Sequence, residues 1–110
     1  MASALVLAAC TPDVAQEHRL GAEAAQQLEA ELPIVRGAWP AEWLQALGDS
    51  LVRVADPRSG GYRFALVNSA AVNAFALPGG HIYVHRGLVE RVGSRDELAS
   101  VLAHEIAHVV

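Results

Sequence analysis

The stretch from Ser94 to Val110 constrains the fold of this chain more than any other. Ser94 and Glu97 form the Ser-x-x-Glu pattern of a capping box, which satisfies backbone N–H groups left free at a helix start. Beyond it, Leu98, Leu102, Ile106 and Val109 recur at helical spacing within a narrow arc, so this helix must lay one apolar side on another layer. At about 100° per residue, His104 and His108 lie ~40° apart and one turn along, roughly opposite the middle of that arc. The pattern is still running at Val110, with no Gly, Pro or basic residue to close it, so the natural domain is expected to continue.

The layer beneath this helix is written earlier in the chain. Asp13 with Gln16 reads as another capping box, followed from Val14 to about Leu32 by Ala, Gln, Glu and Leu, all good helix formers. Gly21 is expected to weaken or bend this helix, and Pro33 to end it. A second helix starts near Pro40, with Trp43, Leu44, Leu47, Leu51 and Val54 on its apolar face, and closes at the turn-rich Asp56–Gly61. Strand character follows in Tyr62–Val67. Asn73–Leu77 and His81–Val84 flank Pro78-Gly79-Gly80, which reads as a hairpin with a three-residue connection. Residues 86–92 form a short helix before the break at Gly93. The expected class is α+β: N-terminal helices, a small antiparallel sheet with a hairpin, then the histidine-bearing helix.

That helix carries His104-Glu105-Ile106-Ala107-His108, an HExxH motif. Two imidazoles on one helical face can converge on a single ion at about 2.0–2.1 Å without bending the backbone, which suits zinc. Glu105 falls between the metal face and the core face, where a general base can take a proton from water acidified by the metal. With five His and eight Glu in 110 residues, chance would produce the motif roughly 0.016 times. The bland alternative is a pair of surface histidines on a partner-facing helix. Catalytic zinc usually has three protein ligands. The other imidazoles, His18, His81 and His85, have no diagnostic spacing, and His81 is the best candidate for a cleft contact.

A chain of 110 residues suits one small domain, and 53% apolar residues supply a core. Only 5% is aromatic, which favours packed helices over aromatic-rich sandwiches. The net charge is −4 and the eight Lys and Arg are scattered singly, so no nucleic-acid footprint is present. Cys10 is the only cysteine and excludes an internal disulfide. It ends the apolar run Ala4–Cys10, too short to span a bilayer but similar to the end of a secretory signal. The run also resembles a bacterial lipobox, whose cysteine is lipidated, although no Lys or Arg precedes it. A frayed apolar terminus is the alternative. The expected division is therefore residues 1–10 as a signal or lipobox-like segment and 11–110 as the domain.

Taken together, residues 73–84, then Arg86-Gly87-Leu88, then residues 96–108 resemble metallopeptidase family forty-eight. That family includes the CAAX prenyl proteases, the HtpX-type membrane proteases and periplasmic lipoprotein proteases. Glu17–Gly21 and Leu47–Leu51 resemble the paired helices preceding the strands in its soluble members. The resemblance implies one Zn²⁺ held by His104 and His108, Glu105 as base, and a third ligand, a glutamate, on a later helix. It implies an incomplete zincin-like domain of which these residues are the N-terminal part. It also places Asn73, Ala74, Phe75, Pro78, Gly79 and Gly80 beside the cleft, where an extended substrate adds to a strand edge.

The function expected from these readings is a zinc metalloendopeptidase of periplasmic protein quality control, cleaving unfolded or misassembled polypeptides. A lipid anchor at Cys10, with Thr11 following it, points to the outer membrane. The reading from another class is a non-catalytic, chaperone-like binding module. In either case the histidine face is expected to be open to solvent, with no carboxylate from residues 1–97 at ligand distance from both imidazoles.

Overall fold

A computed structural model describes residues 13–110, so Cys10 and the apolar run before it lie outside the described residues. The elements are α1 (Val14–Glu31), β1 (Ile34–Val35), α2 (Trp39–Ala55), β2 (Arg63–Val67), β3 (Ala74–Leu77), β4 (His81–His85), α3 (Arg86–Arg91) and α4 (Arg95–Val109). The α+β class holds. The sheet order is β1-β2-β4-β3, and the sheet is mixed where an antiparallel one was expected. β3 and β4 form the anticipated antiparallel hairpin, pairing Ala74 with Val84 and Leu77 with His81. β4 then inserts beside β2 in parallel, Arg63 opposite His81 and Val67 opposite His85. This insertion leaves β3 as an outer strand.

Alternation along the strands feeds two cores. Phe64, Leu66, Ile82 and Val84 point to one face and pack under α2 and α4 with Leu44, Leu47, Leu98, Leu102 and Ile106. Val67 and Tyr83 point to the other face and pack under α1 with Ala25. Three members of the α4 stripe, Leu98, Leu102 and Ile106, are at most 1% exposed, and Val109 is half-buried. On α2 the apolar face is narrower than expected. Leu44 and Leu47 are buried, but Val54 is 85% exposed and Trp43 37%, because Val52 rather than Val54 completes the buried arc.

Local details follow the same physics. The Asp13–Gln16 capping box is complete. At α4 only half of the expected box forms: Ser94 Oγ accepts from the Glu97 N–H at 3.2 Å, whereas the Glu97 carboxylate accepts from Gly93 N at 2.9 Å. α1 runs unbroken through Gly21. β1 covers only the far end of β2, and the Gln45 side chain serves the near end. Its amide donates to Tyr62 O at 2.9 Å and accepts from Phe64 N at 2.8 Å, like a strand residue. No helix among the described residues is long and apolar enough to cross a membrane.

Candidate metal centre and cleft

The core stripe of α4 fixes the rotation of the helix and thereby aims its other residues. With Ile106 fully buried, His104 and His108 emerge on the exposed side, their ring centroids 4.5 Å apart. Glu105, next to Ile106, is nearly buried at 9% exposure. Ligand atoms of His104, Glu105 and His108 lie within 4.8 Å of one another, and among the described residues no other set of three such groups does so. Among the described residues no carboxylate from earlier in the chain joins them. Two imidazoles are donors that suit zinc, so these residues fit a divalent ion, with the Glu105 carboxylate beside it.

Beside this group lies a cleft of about 510 Å³ between α4, β3 and the start of α1. Its lining includes Glu105, His108, Val109, the whole of β3, Pro78, Gly79 and Glu17. Of the residues expected along a bound strand, Ala74, Phe75, Pro78 and Gly79 line this cleft. Asn73 and Gly80 are not in the lining. The Asn73 carbonyl accepts from His85 N at 3.0 Å and sits 3.0 Å from His85 Nδ1, closing the hairpin ladder. Gly80 is buried behind the turn against the Tyr62 ring and accepts from Arg63 N through its carbonyl. Gly79 and Gly80 both have φ of +89°, which explains why the turn uses glycines.

Among the described residues nothing pairs with the outer edge of β3, and the ladder shows which groups it presents. In an antiparallel pair, hydrogen-bonded and non-hydrogen-bonded partners alternate. Asn73 bonds His85, so Phe75–Tyr83 and Leu77–His81 are the next bonded pairs. Ala74 and Ala76 consequently direct their main-chain N–H and C=O groups away from β4, towards the cleft.

The remaining histidines stand elsewhere. His81, the best of the three candidates for a cleft contact, does not line the cleft. Strand alternation turns it towards a separate hollow of about 660 Å³ between α1 and α2, shared with Glu29, Arg63 and Asp49. Burial pushes its pKa down, helped by the charges of Arg63 and His18 and opposed by Glu29. His85 is buried, with its ring 6.0 Å from that of Phe75. His18 is exposed on α1, its backbone against Gly79. Sequence reasoning placed the strand at Asn73–Leu77 beside the cleft but missed Glu17. For Glu17 no local signal existed, because α1 reaches the cleft only through tertiary packing.

The model of Peptidase family M48 matches residues 38–110. The beta-barrel assembly-enhancing protease of Yersinia pestis is 36% identical over 102 residues, covering 93% of this chain and 21% of the relative. The protein of that name from Escherichia coli (strain K12) is 33% identical over the same span. The mitochondrial metalloendopeptidase OMA1 of Schizosaccharomyces pombe is 44% identical over 45 residues, 41% of this chain and 13% of that protein. The chain thus spans about a fifth of the length of the beta-barrel assembly-enhancing proteases it matches. With two-thirds of its residues matching the family and an HExxH helix packed beside a free strand edge, the chain belongs to peptidase family M48.

Proposed function

We propose that this chain carries the general base, two metal ligands and the substrate-binding edge of a zinc metalloendopeptidase. The observation that carries the reading is the nearly buried Glu105, flanked by two exposed imidazoles and opening onto the cleft below β3. His104 and His108 would hold the zinc. When bound, zinc supplies Lewis acidity that polarises a carbonyl and acidifies water. An extended polypeptide pairs with the outward main-chain groups of Ala74 and Ala76, which fixes its scissile bond beside α4. Glu105 takes the proton of the attacking water at a carboxylate oxygen and delivers it to the leaving amine as the C–N bond breaks.

The relatives named beta-barrel assembly-enhancing protease support a role in the quality control of outer-membrane proteins, on unfolded or misassembled chains in the periplasm. The lipobox-like run ending at Cys10 supports anchoring to the outer membrane, with the several acyl chains that stable attachment needs.

The test is Glu105→Gln in the protein at its natural full length. The substitution removes the base and keeps both imidazoles. We expect turnover of an unfolded protein such as casein to fall by at least 10²-fold while one zinc per chain remains on metal analysis. Unchanged proteolysis would remove Glu105 from its role. Absence of zinc from the wild-type protein would remove the metallopeptidase reading and leave a module that binds without cutting.

A further inference from the structure

We infer that Glu17 selects basic side chains in the substrate, at a position facing α1 and close to the C-terminal end of β3. This inference rests on the proposed peptidase reading and names the substrate class for the same cleft.

The argument starts from the two faces of β3. Ala74 and Ala76 pack with the core beneath α2 and α4, whereas Phe75 and Leu77 pack with the core beneath α1. Side chains directly opposite one another on paired strands share a face. A polypeptide added along the free edge therefore sends alternate side chains to the two sides of the sheet. Residues opposite Ala74 and Ala76 point to the side of α4, with Glu105 and His108. Residues opposite Phe75 and Leu77 point to the side of α1.

The α1 side carries the charge that matters. Apart from Glu105 and His108, which belong to the chemistry, the cleft lining is apolar or backbone except for Glu17. Glu17 is exposed and makes no side-chain hydrogen bond or ion pair among the described residues, so its charge is available. Its place is fixed by the backbone. The Glu17 carbonyl and the His18 Cα both lie 3.3 Å from where a Cβ on Gly79 would stand, which seats this turn of α1 against the turn just after Leu77. A lysine or arginine opposite Leu77, with a long flexible stem, reaches a carboxylate in that position. An acidic side chain there meets like charge. Because the pair is solvent-exposed, the discrimination is small, about two- to fivefold per position and weaker in high salt.

The experiment uses the full-length protein and extended peptides that differ at a single position, Lys, Gln or Glu, scanned along the sequence. Two readouts are taken: cleavage by the wild type, and binding to the Glu105→Gln protein by fluorescence anisotropy. We expect Lys to be preferred over Glu by about two- to fivefold at one position of the scan and not at its immediate neighbours. Glu17→Gln should level that preference and Glu17→Lys should reverse it. A preference that survives both substitutions, or is absent in the wild type, would overturn the role of Glu17. A wild type that binds the peptides with this preference but never cleaves them would instead overturn the peptidase reading and leave Glu17 in place.

Discussion

Gly21 stands where α1 crosses the turn after β3, and the approach is closer than any side chain permits. A Cβ there would lie 1.8 Å from the Pro78 carbonyl oxygen and 2.8 Å from its carbon. The residue that interrupts the helical pattern in the sequence is thus the one that lets the helix touch the cleft wall. Gly21→Ala gains helix propensity, worth up to about 1 kcal/mol. It must also push α1 and the turn apart, and overpacking against backbone costs about 1–3 kcal/mol, so the steric term wins. We expect net destabilisation of about 1–2 kcal/mol in denaturant unfolding. A more stable variant would show that the contact is loose. At this scale the histidine pair and the strand beside the cleft were legible, and the α1 wall of the cleft was not. His104 and His108 are neighbours through local helix geometry alone, whereas Glu17 and Gly21 acquire their roles from a strand turn some sixty positions away.

β3 is an outer strand whose two residues with outward main-chain groups are both alanine, and this makes its proposed peptide-binding role separable from its stability. Proline is tolerated at an edge where the N–H faces away from the ladder. Ala76→Pro removes one outward donor, and the preceding Phe75 is already extended, as a residue before proline prefers. The fold should therefore persist, with thermal unfolding shifted little. Peptide binding should weaken by roughly fivefold or more, since a hydrogen bond contributes about 1 kcal/mol and the ring also blocks pairing. Proline at Phe75, which bonds β4, should unfold the hairpin instead. Equal loss of stability in both variants would place the free N–H groups wrongly. The hairpin itself was readable, because Pro78-Gly79-Gly80 sits between two short β-forming runs. The parallel pairing of β2 with β4 was not, since period-2 alternation is the same in either direction and says nothing about which strand inserts between which. β1 is two residues long and leaves no periodic trace. On α2 spacing alone admitted Val54 to the apolar face, although Val52 takes the buried position there.

The molecule as a whole is a sheet between two helical layers, and a phenol–carboxylate hydrogen bond fastens each layer to it. Tyr83, on the central strand β4, donates to Glu29 Oε2 of α1 at 2.8 Å. Tyr62, at the start of β2, donates to Asp56 Oδ2 at the end of α2 at 2.7 Å. Both rings are at most 4% exposed. Burial first, then the hydrogen bond and the negative charge of the partner, pushes each phenol well above its ordinary pKa. In the unfolded chain both lose their protons at about pH 10. Between that pH and the higher folded values, the native state binds more protons than the unfolded state, so stability falls as pH rises. The stabilisation is therefore complete below about pH 10 and is lost above it, in both layers together. Thermal unfolding should give a flat midpoint from pH 8 to 9 and a steep decline beyond pH 10. Tyr62→Phe with Tyr83→Phe should lower stability at pH 8 by about 1 kcal/mol for each lost hydrogen bond, yet make the alkaline decline shallower. The two curves then converge as pH rises. If they stayed parallel to pH 11, the phenols would not be what holds the two layers to the sheet.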